Sequence, residues 1–369
     1  MADIGSRGDH VGAAPAAPSG GRSLLWRTSG LVAAIVLVGL FFWTQKPAFL
    51  SLGVILTMIR SMVSLGIIAM AQMLALLAGE LDLAVGALYG LAANTLAAFW
   101  LGEGLAPTSM HLAWALLITL GVMLAAGAIT AYATTVLRIP SFIATLGMFS
   151  IAQGIELFLG NAGNFNPQYS ATPPPEGQVS FFRTLGSSEL PLGIPIQVVW
   201  LVGVAIVFYV LRHKTVFGFR LAAIGENPEA ATAATLKVGR YKSIVLMITA
   251  LASGLAGLLD FSYTGSIGPA SGLGLTFPVF AAVVIGGSSL SGGKGTVIGA
   301  LLGALLLAEL RTGLAVLGAG DRVQLVFVGT ITIVAVALDH VTSRRQGRSF
   351  PSLQRGAAAG SGETAAGAG

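Results

Sequence analysis

The residues best suited to phosphate chemistry lie in a glycine-rich stretch, GGSSLSGGKGT, which runs from Gly286 to Thr296. A Walker A phosphate-binding loop needs a glycine, four further residues, and then Gly-Lys followed by serine or threonine. Lys294 does follow Gly293, but Gly295 stands where the hydroxyl residue belongs and Ser288 stands where the first glycine belongs. The stretch therefore predicts a turn, and the chain has no nucleotide-hydrolysing site of its own.

Histidine and cysteine provide no alternative chemistry. The chain contains no cysteine, and its four histidines are scattered over tails and loops at His10, His111, His213 and His340. This arrangement gives neither an i, i+4 metal-binding pair nor an ordered catalytic triad. We therefore predict no catalytic residue, no metal site and no cofactor.

Polar side chains inside apolar runs are the remaining candidates for function. A lipid-facing polar group is costly, so such a group usually turns towards the helix bundle or a pore. Asn94, Gln153, Glu156 and Asp260 qualify by position. They are candidate pathway residues; the alternative is that they form hydrogen bonds between neighbouring helices.

The composition indicates a polytopic membrane protein. Of the 369 residues, 54% are hydrophobic and only 9% are charged, and the mean hydropathy is +0.83. No soluble globular domain approaches these values. The net charge of +5 is explained by basic loops between membrane spans, so it does not indicate nucleic-acid binding.

Apolar runs predict an all-α fold with about ten transmembrane helices, since about twenty apolar residues cross a bilayer as a helix. The predicted spans are Leu31–Trp43, Ser61–Gly79, Ala87–Leu101, His111–Leu137, Phe142–Leu159, Ile196–Leu211, Ser243–Leu259, Phe277–Ile285, Thr296–Leu310 and Val323–Leu338. We expect a membrane domain over residues 29–340, between disordered cytoplasmic tails at residues 1–28 and 341–369. Residues 161–195 carry little positive charge and should lie outside the cell.

Two features near the first span have separate predictions. The residues from Phe49 to Ile59 follow Lys46 and Pro47 and are predicted to form an interfacial segment. Arg60 closes this segment, and we interpret it as a snorkelling anchor at the membrane interface.

A basic loop, residues 212–242, is the long polar interruption in the second half of the chain. It holds six basic residues against two acids, Glu226 and Glu229, which is typical of a loop retained in the cytoplasm. Asn227 can act as the N-cap of a short helix, and Pro228 has the fixed φ suited to its first position. The helix should run to Leu236 and end near Gly239. Its small residues favour close docking over a solvated connector, which remains the alternative.

An acidic turn, GELDLAVG, joins the second and third predicted spans, and it extends from Gly79 to Gly86. Asp82 lies just before a helix that begins near Ala84. A carboxylate there can accept free backbone N–H groups and complements the positive end of the helix dipole. We therefore predict that Asp82 caps the helix.

Three stretches carry a resemblance to a known family. GELDLAVG is similar to the Gly-Gly-Ile-Asp-Leu-Ser-Val-Gly turn of the permeases of bacterial ABC importers for ribose, xylose, arabinose and related sugars. AVVIGGSSLSGGKGTVIGALLGALLL resembles the late signature of that family, and AIGENPEAATAATLKVGRYKSI resembles its cytoplasmic loop. The resemblance covers residues 45–340, with the three sites in the same order.

The resemblance implies an inner-membrane permease with both termini in the cytoplasm. Such permeases form a homodimer or pseudo-dimer that docks on ATPase subunits, while a sugar-binding protein delivers the solute from outside. The residues that would couple to the ATPase are Gly225, Glu226, Asn227, Pro228, Glu229, Ala230, Ala231 and Ala234. The residues that would shape the structural turns are Gly79, Asp82, Gly86, Gly286, Gly287, Gly292 and Gly293. The aromatic residues that could stack on a sugar ring are Phe142, Phe149 and Phe277; the alternative is that they simply pack.

The chain departs from the family pattern at three places. Glu80 replaces a glycine and Ala84 replaces a serine in the acidic turn, and Leu310-Arg311-Thr312-Gly313 stands where Asn-Asn-Gly usually follows an apolar residue. Glu309, Arg311 and Asp321 could form local ion pairs. These departures leave the solute open, between a sugar and another small polar molecule.

Two other functions stay open at this stage. The first is a proton-coupled secondary transporter that uses Glu156 or Asp260 as a relay, because intramembrane acids commonly serve that way. The second is a non-transporting membrane scaffold that recruits a cytoplasmic partner through the basic loop.

Overall fold

The computed structural model describes residues 20–106, 108–160 and 163–345. Within these ranges nearly all of the regular secondary structure is helical, which confirms the predicted all-α class. Strand structure in the described part is confined to a small hairpin in which Glu189–Leu190 pairs with Ile194–Pro195, and to a single bridge between Phe165 and Ile267.

The described part of the chain contains thirteen α-helices, numbered here in chain order. They are α1 (Gly20–Gln45), α2 (Leu52–Leu77), α3 (Val85–Leu101), α4 (Leu112–Thr135), α5 (Ser141–Gly160), α6 (Glu176–Ser187), α7 (Gln197–His213), α8 (Val216–Glu226), α9 (Pro228–Ala233), α10 (Val238–Thr264), α11 (Thr276–Ile285), α12 (Val297–Val316) and α13 (Asp321–Arg345). The ten predicted spans correspond in order to all of these except α6, α8 and α9.

Five of the described helices, α2, α4, α5, α10 and α12, are long and apolar enough to cross a membrane. A sixth span forms if α7 and α8, which meet at an angle of 66°, are taken together. Shorter apolar stretches lie in α1, α3, α13 and in residues 273–285. These four stretches coincide with predicted spans that were themselves shorter than the length needed to cross a bilayer as a helix.

Helix α3 lies at the centre of the bundle. It packs against α4, α5 and α10, and nearly all of its residues are buried. A helix that is apolar on every side is stable only when neighbours cover its whole circumference. Helix α2 forms the other half of the core, where it contacts α7, α10, α11 and α12.

The segment before α11, residues 265–275, is here called the strap. It runs along α3, because Gly268 O accepts a hydrogen bond from Asn94 and Gly272 packs against Gly86 and Tyr89. Helix α11 has 10 residues and so rises about 15 Å, roughly half of the hydrocarbon thickness. Helix α11 alone is therefore too short to cross the hydrocarbon region, and the strap precedes it along α3.

The predicted interfacial segment Phe49–Ile59 is wrong. A short 3₁₀ turn covers Pro47–Leu50, and α2 then continues from Leu52 through Arg60 without a break. The Arg60 guanidinium donates to Glu189 Oε1 at 2.7 Å and to the Tyr263 hydroxyl at 3.2 Å. The Arg60 charge is therefore paired within the protein, and its predicted place at the membrane interface stays a prediction.

The predicted tails are partly helical. Helix α1 begins at Gly20, so residues 20–28 are helical and not disordered, and α13 likewise includes residues 341–345. Residues 1–19 and 346–369, where the remaining tail predictions fall, lie outside the described residues. The segment between α5 and α7 contains α6, which packs against α10.

The basic loop contains more structure than the sequence predicted. Helix α8 occupies its first part, and α9 ends at Ala233, before the predicted end at Leu236. Thr235 follows with a left-handed φ of 64°, which ends the short helix. Gly239 lies inside α10 and does not terminate a helix, contrary to prediction.

Candidate functional site

Helix α9 presents a small exposed surface. The Asn227 side chain accepts a hydrogen bond from the Ala230 N–H at 3.0 Å, which confirms the predicted N-cap. Ala234 is exposed, but Ala231 is only 5% exposed because it packs against the rest of the chain. The available surface consists of residues 226–230 and 232–234, and Ala231 does not belong to it.

Four residues at the base of the loop form a contact that we call the glycine junction: Leu77, Gly225, Gly292 and Gly293. The Gly293 N–H donates to the Leu77 carbonyl at 3.0 Å. A Cβ on Gly225 would lie 1.8 Å from that carbonyl oxygen and 2.7 Å from Gly293 N. Gly293 also has a φ of 75°, which favours glycine. The junction therefore joins the basic loop, the end of α2 and the Gly-rich turn by backbone contact.

Other predicted turn glycines also have either a positive φ or a backbone neighbour too close for a Cβ. Gly79, Gly287 and Gly292 have φ values of 78°, 90° and 87°. A Cβ on Gly86 would lie 2.5 Å from Gly272 O, and one on Gly286 would lie 2.3 Å from Gly299 O. The three stretches that carry the family resemblance thus meet at one end of the bundle.

Two charged contacts reinforce this region. Lys242, in the first turns of α10, forms an ion pair with Glu80. The Glu80 side chain is 5% exposed, so its charge is neutralised inside the protein. The Arg212 Nε–H donates to Gly295 O at 3.2 Å. Glu80, which replaces the usual glycine, therefore has a partner in the basic loop.

Asp82 is bound on several sides. Its Oδ1 accepts the Ala84 N–H at 2.9 Å, next to the first residue of α3, and its Oδ2 accepts the Thr249 hydroxyl of α10. With its amide oriented to satisfy both groups, Gln72 of α2 pairs with the Asp82 backbone. Ala84 is itself the N-cap residue of α3, and no side chain in the described part caps this helix, so Asp82 does not act as the predicted cap; its carboxylate ties the turn before α3 to α10.

The structure brings two predicted pathway residues together beside the strap. The Asn94 amide donates to Gly90 O at 2.9 Å and to Gly268 O at 3.1 Å. Glu156 Oε2 accepts the Ala270 N–H at 2.9 Å, and its carboxylate also lies against Gly90. Asn94 Oδ1 and Glu156 Oε1 have no hydrogen-bond partner among the residues that the structure describes, although both side chains are fully buried. The result is a polar cluster within the apolar core.

Tyr89 is a functional candidate that the sequence analysis missed. Its hydroxyl donates to Asp260 Oδ2 at 2.6 Å, and its ring packs on Gly272 of the strap. A buried tyrosine needs a hydrogen-bond partner, so a tyrosine within an apolar run was an available signal. Tyr89 therefore links Asp260 to the strap. The next residue of α3, Gly90, lies against Glu156.

The remaining pathway candidates are less central. Gln153 lies half-buried on α5, one turn before Glu156, and Phe142 and Phe149 are also half-buried on this helix. Phe277, at the start of α11, is 64% exposed on the outside of the chain and lies apart from the polar cluster.

The predicted local ion pairs near Arg311 are not formed in the described residues. Glu309 is 5% exposed and packs against α1. A Cβ added to Gly39 of α1 would lie 2.7 Å from Glu309 Oε1. The side chain of Asp321 lies outside the part that the structure describes. No group of three or more acidic or histidine residues that could hold a metal ion occurs among the described residues.

The long apolar helices define a multi-pass membrane protein. Residues 54–336 match the family model described as branched-chain amino acid transport system / permease component. The chain belongs to this family.

The curated relatives are similar over nearly their whole lengths. The ribose import permease protein RbsC of Bacillus subtilis (strain 168) is 34% identical over 314 residues, which are 85% of this chain and 92% of that protein. The probable ABC transporter permease protein YphD of Escherichia coli (strain K12) is 31% identical, with 87% and 91% coverage. The xylose transport system permease protein XylH of the same strain is 29% identical, with 89% and 95% coverage. No solved structure matches the chain.

Proposed function

We propose that this chain is the membrane-spanning subunit of an ABC importer for a pentose or a related sugar. The observation that carries the proposal is the meeting of the three stretches that resemble the sugar permeases: the glycine junction joins the basic loop to the Gly-rich turn, and the Glu80–Lys242 ion pair joins the basic loop to the acidic turn. Relatives named as ribose and xylose permeases, which align over more than four fifths of the chain, supply the solute class.

The proposed energy source is a separate ATPase that binds the exposed surface of α9. This surface is small and rigid, because Asn227 caps the helix and Ala231 anchors it in the chain. The basic loop and its positive charge favour a cytoplasmic position for α9. The tails at both ends of the chain would then also be cytoplasmic.

The proposed solute route passes the polar cluster. Asn94, Glu156 and Tyr89 bring an amide, a carboxylate and a hydroxyl to the strap, and such groups suit a solute rich in hydroxyls. The partners we propose are a solute-binding protein outside the membrane and a second permease copy or a similar subunit.

A second solute class follows from the description of the family model, which names branched-chain amino acids. Leucine carries a large apolar side chain, whereas the cluster offers mostly polar groups. We therefore place the sugar first and include leucine in the test.

The test is solute uptake by proteoliposomes that contain this chain, with an ATPase and a solute-binding protein encoded beside it. Ribose, xylose and leucine are supplied in turn, with ATP inside the vesicles or with an imposed proton gradient. We expect uptake of a pentose that requires ATP and the binding protein.

The other outcomes identify the rival functions. Uptake driven by the proton gradient without ATP would establish a secondary transporter. ATP-driven uptake of leucine alone would change the solute class. A stable complex that moves no solute under either condition would favour a scaffold.

A further inference from the structure

The acidic turn is bound to α10 at two positions along the helix. Lys242 holds Glu80, and the Thr249 hydroxyl holds Asp82, as described above. These two α10 residues are seven positions apart, so the contacts lie about 10 Å apart along the helix. The segment between Glu80 and Asp82 therefore follows α10 from the basic loop towards the core.

The same turn is also bonded to α5. The Leu81 N–H donates to Ser141 Oγ at 3.0 Å, and the Leu83 N–H donates to Thr145 Oγ1 at 3.0 Å. Helix α5 carries Glu156, and the turn leads directly into α3, which carries Asn94. Any movement of the turn must therefore displace both helices that build the polar cluster.

We propose that the Glu80–Lys242 ion pair is a positioning element that transmits movement of α9 to the polar cluster. Lys242 lies shortly after α9 in the chain, and Glu80 begins the turn that is bonded to α5, α3 and α10. An ion pair in a protected position resists separation, because breaking it leaves a buried charge without a partner. The pair thus makes the basic loop and the turn move together.

This inference rests on the proposed function, because it requires an ATPase that acts on α9. Glu80 supplies an ion pair to Lys242 that a glycine, the residue implied here by the family resemblance, could not form. The effect sought is loss of coupling between ATP hydrolysis and transport, with assembly of the complex retained.

The experiment compares Glu80→Gln, Lys242→Gln and the charge-swapped double variant Glu80→Lys/Lys242→Glu in the reconstituted complex. The measured quantity is the amount of solute moved per ATP hydrolysed. We expect each single variant to lower this ratio about fivefold or more, within the range of typical coupling energies, and the swap to restore most of it.

A second readout does not depend on transport. The chain has no cysteine, so Ser271→Cys, on the exposed part of the strap, provides a single labelling site. We expect ATP to change the labelling rate of this cysteine, and Glu80→Gln to abolish that change. The matched control is Glu189→Gln, which breaks the Arg60 ion pair outside this connection and should leave the coupling ratio unchanged.

The outcomes separate the inference from the function on which it rests. Wild-type coupling in both single variants would overturn the inference alone. Parallel loss of thermal stability and assembly, without recovery in the swap, would also overturn it, since the pair would then only hold the fold together. A wild-type complex that hydrolyses ATP without moving any solute would overturn the proposed function as well.

Discussion

Replacement of Gly225 by alanine tests whether the glycine junction is as tight as the structure indicates. The new Cβ would lie 1.8 Å from the Leu77 carbonyl oxygen, and an ordinary C···O contact needs about 3.3 Å. The chain must therefore shift by roughly 1.5 Å, and the obstacle is backbone, which cannot rotate away as a side chain can. Overpacking usually costs about 1–3 kcal/mol, and we expect Gly225→Ala to lie at the upper end of this range.

The matched control is Gly121→Ala in the interior of α4. A Cβ at Gly121 meets nothing within 4 Å, and alanine is the better helix former by about 1 kcal/mol. We expect Gly225→Ala to lower the apparent melting temperature of the detergent-purified protein and Gly121→Ala to maintain or raise it. Equal melting temperatures for both variants and the wild type would refute the argument that these backbones are in contact.

Further predictions concern the exposed loop, the acidic turn and the topology. Ala234→Arg should fold normally but weaken ATPase co-purification about tenfold or more, equivalent to about 1.4 kcal/mol. Ala231→Arg should fail to fold well, because the new charge would be buried. Retention of ATPase binding and uptake by Ala234→Arg would show that α9 is not the docking surface. Asp82→Ala should cost about 1–3 kcal/mol for each buried partner left unpaired, and Asp82→Asn should be nearly tolerated because an amide still serves both partners; normal folding of Asp82→Asn with no transport would assign the charge a direct role. Thr232→Cys should react with an impermeant thiol reagent only from the cytoplasmic side and Gln168→Cys only from outside, and the opposite pattern at either site would reverse the proposed orientation.

Local signals in the sequence predicted which segments are helical better than they predicted where each helix begins and ends. The Asn227 cap depends on residues within three positions, and the Asp82 contact to Ala84 depends on a neighbour two positions away, so chain pattern alone is sufficient. Arg60, by contrast, forms an ion pair that the sequence did not indicate. Its partner Glu189 lies 129 positions along the chain, and an arginine inside an apolar run looks like a boundary unless that partner is known.

The site could be predicted only in part because its main contacts are non-local. The sequence singled out Asn94 and Glu156 as candidate pathway residues, but nothing in their spacing revealed that both bind the strap. The strap itself lacks the apolar periodicity of a span, so it reads as an external loop. The pairing of Glu80 with Lys242 joins two segments whose relation is visible only once α2 and α10 are packed together.

The positions of the intramembrane acids bear on the energy source. A proton relay needs acids that exchange protons with water on alternate sides, yet Glu156 is fully buried and bonded to the strap backbone, and Asp260 is bonded to Tyr89. Asp260 contacts α3 at Tyr89, and Glu156 contacts it at Gly90. These residues are consecutive, so the two acids approach α3 from directions about 100° apart, on different faces. An ATPase that acts on α9 requires only that the loop be firmly joined to the core, which the glycine junction and the Glu80–Lys242 pair provide. The geometry therefore favours energy supplied at the basic loop over energy supplied by protons at the cluster.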